Sequence, residues 1–271
     1  MLIKRVVTAV ILTLLASLAL FKATAEVWQW IMLGVGFIAA WEWAGFAQLN
    51  QAWQKVLFAV LTTVVSFASI DMLSAPIIAF LTLLESVLLI YIVIGYQRSH
   101  GRIHMSSIGF ILFAGILSVA LFSTVMVRFR MEFSPEILLM SLFVIWAIDT
   151  GAYFSGKRFG KTKLAIHVSP GKTWEGVWGG VLLALFIAIT GLWLISGAVT
   201  LYTVLFAIIL AGIAMFSVFG DLFESVLKRQ VNIKDSGRVL PGHGGVLDRI
   251  DSLLIAVPML YLAWHFESIL S

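Results

Sequence analysis

The chain has 271 residues, of which 61% are hydrophobic and only 12% are charged, and its mean hydropathy is +1.04. Soluble domains are typically about 45–50% apolar, so this composition excludes an ordinary soluble protein and indicates a polytopic membrane protein. The absence of cysteine excludes disulfide bonds, thiolate chemistry and sulfur-ligated zinc or iron. Although the net charge is +4, the basic residues flank apolar segments, so no nucleic-acid partner is predicted.

Apolar stretches close to the roughly 20-residue length of a bilayer crossing recur along the chain. Because lipid cannot satisfy backbone polar groups and no strand-like alternation is seen, each stretch is predicted to be a helix. The sequence therefore predicts an all-α fold with about nine transmembrane helices in one domain, residues 1–271. The predicted spans are 6–21, 27–46, 56–70, 76–95, 108–127, 136–154, 174–195, 201–220 and 253–270.

The first predicted span has a second interpretation. Lys4 and Arg5, the apolar run after them and the small residues at 23–25 also resemble a secretory signal peptide with its cleavage site. Lys22, just before that site, argues against cleavage. Either interpretation leaves the topology of the later spans unchanged.

The distribution of Lys and Arg predicts how the helices are oriented. If the N-terminus is cytoplasmic, all 18 Lys and Arg residues except Lys22, Arg128 and Arg130 lie in cytoplasmic segments. The positive-inside rule therefore favours a cytoplasmic N-terminus. It also places two polar segments, 155–173 and 228–252, on the cytoplasmic side of the membrane.

Two pairs of carboxylates have the same spacing. Asp221 with Glu224, and Asp248 with Asp251, lie three residues apart, which places each pair on one face of a helix. Like charges so placed repel unless a cation lies between them, and oxygen ligands suit Mg²⁺. The structural alternative is helix N-capping by Asp248 and ion pairing of the other acids. Two pairs on one membrane face favour the metal interpretation.

Asp149 is a further candidate because it lies within a predicted span. A charged side chain there costs about 2.5–3.5 kcal/mol on insertion scales, which makes it a functional candidate by default. Its structural alternative is pairing with Lys157 or Arg158. Glu42 and Glu85 also lie within predicted spans, but no motif surrounds them, and neither is assigned a role.

The segment 241–245, rich in glycine, cannot form a regular helix. Gly244 and Gly245 allow backbone N–H groups to approach a phosphate closely, whereas the alternative is a tight connection into the last span. His243 can donate to a phosphate, contact the base or fix the turn.

Residues 169–173 suggest a phosphate-binding P-loop but do not match one. That motif needs a glycine where Ile166 stands, and a strand before it. What remains is a basic turn with Lys172 and Thr173 at the start of a span, where helix N-terminal amides could hold an anion.

The polar positions of region 220–252 resemble the signature of the phosphatidate cytidylyltransferase family, also called CDP-diacylglycerol synthases. The blocks 149–153 and 169–176 are also similar to this family, and Ile166, where many relatives have Pro, departs from it. The short N-terminus is similar to the bacterial form. The signature positions that match are Ser225, Lys228, Arg229, Lys234, Asp235, Gly237, His243, Gly244, Gly245, Asp248, Arg249 and Asp251.

The resemblance implies a metal-assisted reaction of CTP with phosphatidic acid, a membrane lipid, to give CDP-diacylglycerol and pyrophosphate. It implies Mg²⁺ beside a second cation such as K⁺, and a homodimer. The expected catalytic residues are Asp221, Asp248, Asp251, Lys228 and Arg229. The expected metal ligands are Asp221, Asp248 and Asp251, with Asp149 and Glu224 as helpers. The expected substrate-binding residues are Lys172, Thr173, Lys234, Asp235, His243, Gly244, Gly245 and Arg249.

Three other classes of protein compete with this interpretation. A transporter or channel could use Asp149, Glu85 and Glu42 as an ion path, but it gives the loop signature no role. A lipid kinase or a CDP-alcohol phosphotransferase is a second alternative, although the paired-Asp spacing of the latter is absent. A purely structural membrane subunit is the third.

Overall fold

The computed structural model describes residues 14–102, 107–240 and 244–270, and these residues are almost entirely helical. Residues 14–22 form a first helical stretch, which eight longer helices and one hairpin follow. The elements are α1 Ala25–Trp43, α2 Ala52–Met72, α3 Ala75–Arg98, α4 Ile108–Glu132, α5 Pro135–Phe159, β1 Lys163–Ala165, β2 Ser169–Thr173, α6 Trp174–Ser196, α7 Leu201–Gln230 and α8 Leu247–Leu270.

Within these residues, seven helices, α2 to α8, are long and apolar enough to cross a membrane. This confirms an all-α, multi-pass membrane protein, but the predicted count of about nine spans is slightly too high. Half of the predicted first span, residues 6–13, lies outside the described residues, and the other half, residues 14–21, is helical. The second corresponds to α1, which has 19 residues, contains Gln29, Glu42 and four tryptophans, and is not among the seven.

Two helices extend well beyond the predicted spans. The fifth, α5, continues to Phe159, and α7 continues to Gln230, ten residues past the predicted end of its span. The extension of α7 is stable because one face stays buried, as Phe223, Val226 and Leu227 show. Residues 228 and 229, expected in a loop, therefore lie on a helix.

A small antiparallel hairpin, β1–β2, stands where a turn was predicted. Ala165 pairs with Ser169 at its closed end. At its base, the Glu175 carboxylate accepts hydrogen bonds from the backbone N–H groups of Lys161, at 3.1 Å, and Thr162, at 3.0 Å. Thr173 then caps α6, because its hydroxyl accepts a hydrogen bond from the Gly176 amide.

Polar contacts between chain-distant segments collect at the two ends of the bundle. At one end, here named the site end, the Gln97 side chain accepts from the amide of His167, and Glu42 accepts from that of Leu247. At the opposite end, Tyr261 donates to Glu132 at 2.7 Å. Segments that are far apart in the sequence are therefore joined by hydrogen bonds at the site end.

Glycines let α5 and α6 approach closely near the site end. A Cβ on Gly180 of α6 would lie 2.5 Å from the Ile148 carbonyl oxygen, and one on Gly151 of α5 would lie 2.8 Å from the Gly179 carbonyl oxygen. Real side chains do not tolerate such distances. This close packing fixes Asp149, next to Ile148, beside the start of α6.

Candidate active site

An ammonium group joins the two predicted carboxylate pairs. The Nζ atom of Lys228 lies 2.8 Å from Glu224 Oε2 and 2.8 Å from Asp248 Oδ1. The side chains are 14%, 1% and 7% exposed, respectively, so this is a buried ionic bridge between α7 and α8. Lys228 thereby holds the start of α8 against the polar C-terminal extension of α7.

A second ion pair joins α7 to the hairpin. Lys172 of β2 places its Nζ atom 2.6 Å from Asp221 Oδ2. Asp149 of α5 lies close enough to interact electrostatically with both groups, and the Ser252 hydroxyl of α8 lies 3.5 Å from Asp149 Oδ2. Four separate elements thus meet at this point.

Asp251 connects the two ionic groups. Its carboxyl is close enough to those of Asp221 and Glu224 to interact with both. The approach of α7 to α8 is made possible by Gly220, since a Cβ there would overlap the Asp251 carbonyl oxygen. Asp221 and Asp248 therefore belong to one cluster, but they are linked through Asp251 and Glu224.

Asp248 also organises the loop that precedes it. Its Oδ2 atom accepts hydrogen bonds from the backbone N–H groups of Ser236, at 2.9 Å, and Gly245, at 2.8 Å. Gly244 between them has φ +82°, in the left-handed region that glycine adopts readily. Asp248 lies in the first turn of α8 and binds amides of the loop, a more extended role than simple N-capping.

Glu42 belongs to this site, although no motif indicated it. Its Oε2 atom accepts from the Leu247 amide at 2.8 Å, and the Ser236 hydroxyl lies 3.4 Å away. Gly237 and Gly245 lie so close that a Cβ on either would overlap the Glu42 carboxylate. The only sequence signal was the cost of an acid within an apolar stretch, because its partners are about 200 residues away.

A cavity of about 500 Å³ opens beside these groups. Asp149, Lys172, Thr173 and Asp221 line it, together with glycines of α5, β2 and α6. Ligand pockets are typically about 300–1,000 Å³, so the cavity is large enough for a phosphate-bearing ligand. Its charged wall consists of the predicted site residues Asp149, Lys172 and Asp221, together with Lys157 of α5.

The other predicted site residues lie around this cluster. Arg229, Lys234 and Asp235 are exposed, on the end of α7 and in the loop after it, and Arg249 is exposed on the first turn of α8. Gly245 is buried against Glu42. His243 lies outside the described residues.

The donor set at the site consists of oxygen atoms. Oε1 of Glu224 is buried and has no hydrogen-bond partner in the part of the chain that the structure describes. Among those same residues, however, no group of three or more His, Asp or Glu side chains is arranged to hold a metal ion by itself. The residue types suit a hard cation such as Mg²⁺, while Lys172 and Lys228 occupy several of the carboxylate oxygens.

Comparison with known proteins assigns the class. The profile of the cytidylyltransferase family matches residues 3–266, so the chain belongs to this family. The predicted family resemblance is confirmed, and the protein is a nucleotidyltransferase.

Individual relatives agree over nearly the whole chain. A phosphatidate cytidylyltransferase of Pseudomonas aeruginosa is 37% identical, covering 96% of this chain and 95% of the relative. Those of Haemophilus influenzae and Helicobacter pylori strain J99 are 35% and 34% identical, each covering 98% of this chain and at least 92% of the relative. The first 130 residues, which carried the resemblance only by hydropathy, are thus included in the match.

Proposed function

We propose that the protein transfers the cytidylyl group of CTP to phosphatidic acid, giving CDP-diacylglycerol and pyrophosphate for phospholipid synthesis. The observation that supports this most directly is the cluster of acids and lysines from α5, β2, α7 and α8 beside a cavity in a membrane-spanning cytidylyltransferase. The named substrate of its relatives is a lipid. A site at the end of membrane helices gives a lipid headgroup and a soluble nucleotide a common meeting point.

The proposed reaction is a displacement at the α-phosphorus of CTP. A phosphate oxygen of phosphatidic acid forms the new P–O bond, and the bond between the α-phosphorus and the bridging oxygen breaks, releasing pyrophosphate. The attacking oxygen is already ionised, so no strong general base is required. Positioning and charge neutralisation are therefore the main contributions of the protein.

Lys172 is placed to contribute to both the positioning of the substrate and the neutralisation of its charge. Its ammonium group lies on the cavity wall, paired with Asp221, and can contact an anionic phosphate that enters the cavity. Lys228 is less exposed and bridges Glu224 and Asp248, so its proposed role is to hold the acids in place. Arg229, Lys234 and Arg249 add positive charge at the rim, where they are proposed to attract the nucleotide.

We extend the proposal to Mg²⁺, with Asp221, Asp248 and Asp251 as its main protein ligands and Asp149 and Glu224 supporting them. When bound, the metal supplies charge stabilisation for the transferred and leaving phosphates. The fit rests on the oxygen donors and on the buried Glu224 Oε1, for which no hydrogen-bond partner is found among the described residues. Mg²⁺ commonly uses only one or two carboxylates together with substrate phosphates, so a complete protein cage is not required. A second cation such as K⁺ is part of the same proposal.

The site end is proposed to face the cytoplasm, where CTP is found. The support is the excess of Lys and Arg in the segments that return to this end. Cysteines introduced singly at the two ends, in a chain without native cysteine, provide the test. If an impermeant reagent modified a site-end cysteine in intact cells, the site end would face outward and the proposed orientation would be wrong.

A homodimer is proposed from the family resemblance. The molar mass of the detergent-solubilised protein, measured by light scattering with the detergent contribution subtracted, tests it. A mass equal to one chain would contradict it.

The central experiment uses purified protein, phosphatidic acid and CTP labelled at the α-phosphate. Label is expected to enter an organic-phase product in the unchanged protein and not in Asp248→Asn, which loses a metal ligand and a loop contact. Asp71→Asn, an exposed acid of α2 away from the site, is the matched control. Turnover by Asp248→Asn at the control's rate would remove Asp248 from the reaction.

The same assay separates the competing classes. Label placed on the γ-phosphate is expected in pyrophosphate, whereas a lipid kinase would transfer it to lipid. Ion flux in proteoliposomes that does not depend on nucleotide would favour a transporter instead.

A further inference from the structure

A second, apolar cavity lies beside the polar one. It has a volume of about 350 Å³ and is lined by α3, the hairpin, α6 and α7. We name it the acyl groove, with Ile94, Ala165, Trp174, Met215 and Phe219 among its lining residues. We propose that it holds an acyl chain of the lipid substrate while that lipid reacts in the polar cavity. This inference rests on the proposed function.

The two cavities share a wall. Val177 of α6 and Val218 of α7 line both of them. Val218 lies three residues before Asp221 on the same helix, so the two side chains lie on one helix face. A molecule that crosses this wall therefore has an apolar part on one side and the Asp221–Lys172 pair on the other. That division matches a phosphate-bearing lipid.

The chemistry of the acyl groove suits a hydrocarbon chain. Gln97 and Arg98 are the two polar residues of its lining, and the Gln97 side-chain oxygen is already occupied by the His167 amide at 2.9 Å. The remaining lining consists of aliphatic and aromatic side chains, with Met215, an adaptable thioether, at its base. A nucleotide triphosphate would find only one cationic side chain there, Arg98, so the lining favours a hydrocarbon chain as the occupant.

The position of the acyl groove gives a lipid access to it. Its walls belong to α3, α6 and α7, three of the helices that are long and apolar enough to cross a membrane. Both α3 and α6 pack against α7. Ile94 and Trp174 are 40% and 45% exposed, and they place apolar surface at the rim. A lipid chain can thus enter sideways from the bilayer.

The test fills the acyl groove and varies the length of the lipid. Met215→Trp adds bulk inside it, while Ile208→Trp adds the same bulk to an exposed position on the same helix outside the groove. We expect Met215→Trp to lower kcat/KM about tenfold or more for long-chain phosphatidic acid. With a short-chain, water-soluble phosphatidic acid the loss should be much smaller. Ile208→Trp should leave kcat/KM unchanged for both the long-chain and the short-chain lipid.

A second variant guards against misfolding of the first. Ile94→Trp changes a partly exposed side chain at the rim, and a partly exposed position accepts a larger side chain more easily than a buried one does. It should show the same dependence on chain length. Equal losses for long and short lipids in both variants, with normal Ile208→Trp, would overturn the inference.

A direct readout does not depend on turnover. Phosphatidic acid with a photoreactive group at the end of one acyl chain should label peptides of α3 and α7 that line the acyl groove, and excess unlabelled phosphatidic acid should suppress the label. Labelling elsewhere, or suppression by any membrane lipid equally, would overturn the inference. So would a loss of dimer mass in Met215→Trp, which would assign the surface to a second copy of the chain. Absence of product in the unchanged protein would instead refute the proposed function.

Discussion

Replacing Lys228 with methionine would keep most of the length of the side chain while removing the charge that bridges α7 and α8. In the structure this ammonium group lies 2.8 Å from both Glu224 Oε2 and Asp248 Oδ1. The acids are 1% and 7% exposed, so water cannot replace the lost partner easily. The variant would leave two carboxylates facing each other in a poorly solvated site.

The expected loss of stability follows from that burial. Removing one partner of a buried ion pair costs about 3–5 kcal/mol, because the remaining charge stays uncompensated. For a chain of this size, each kcal/mol lowers the melting temperature by roughly 2–4 °C, so Lys228→Met should melt about 6–20 °C lower. Thermal unfolding in detergent, followed by intrinsic tryptophan fluorescence, measures this shift.

Two further variants make the result specific. The triple variant Lys228→Met, Glu224→Gln, Asp248→Asn removes all three charges, so it should recover most of the melting temperature without recovering activity. Lys161→Met removes an exposed lysine near the hairpin and should leave melting unchanged. The argument from buried charge would be refuted if Lys228→Met had the melting temperature of the unchanged protein. It would also be refuted if the triple variant had a melting temperature no higher than that of Lys228→Met.

Three other positions give separate predictions. Gly180→Ala places a Cβ 2.5 Å from the Ile148 carbonyl oxygen, so it should push α5 from α6, cost about 1–3 kcal/mol in thermal unfolding and lower activity. Glu42→Ala removes the acceptor of the Leu247 amide, a charge-assisted bond of about 1.5–3 kcal/mol, and should speed proteolysis of the loop before α8. Glu85→Leu removes a fully buried acid without a hydrogen-bond partner among the described residues, so it should raise the melting temperature and preserve turnover.

Matched changes keep these predictions interpretable. Gly212→Ala is the control for Gly180, since a Cβ at Gly212 meets nothing within 4 Å. Glu26→Ala, at the other end of α1, is the control for Glu42. Loss of turnover in Glu85→Leu with normal folding would contradict this prediction and favour an ion path. Unchanged proteolysis in Glu42→Ala would mean that the loop is held mainly by Asp248.

Hydropathy and the loop signature predicted the helical fold and the family, because lipid solvation and fixed polar spacing are local properties of the sequence. The extended end of α7 could not be read from hydropathy. Residues 221–230 remain helical through burial of Phe223 and Val226 against the rest of the protein. The average hydropathy over a window of sequence shows only that this segment becomes polar and does not show which of its side chains are buried.

Glu42 was harder to predict for a related reason. Its hydrogen bond to Leu247 joins residues 205 positions apart, and nothing near Glu42 in the sequence announces that partner. The β1–β2 hairpin was missed because its three- and five-residue strands are too short for a clear alternation. By contrast, the two carboxylate pairs, Asp221 with Glu224 and Asp248 with Asp251, could be found from the sequence because the prediction depended only on local helix geometry.

The contact between Glu42 and the start of α8 makes the N-terminal part of the chain a component of the candidate active site. A fragment that begins after residue 130 would retain every signature residue and yet lack the carboxylate that abuts Gly237 and Gly245. Two separately expressed halves would therefore have to reassociate before either could work. Changes at these glycines during evolution would be constrained by a side chain encoded almost 200 codons earlier.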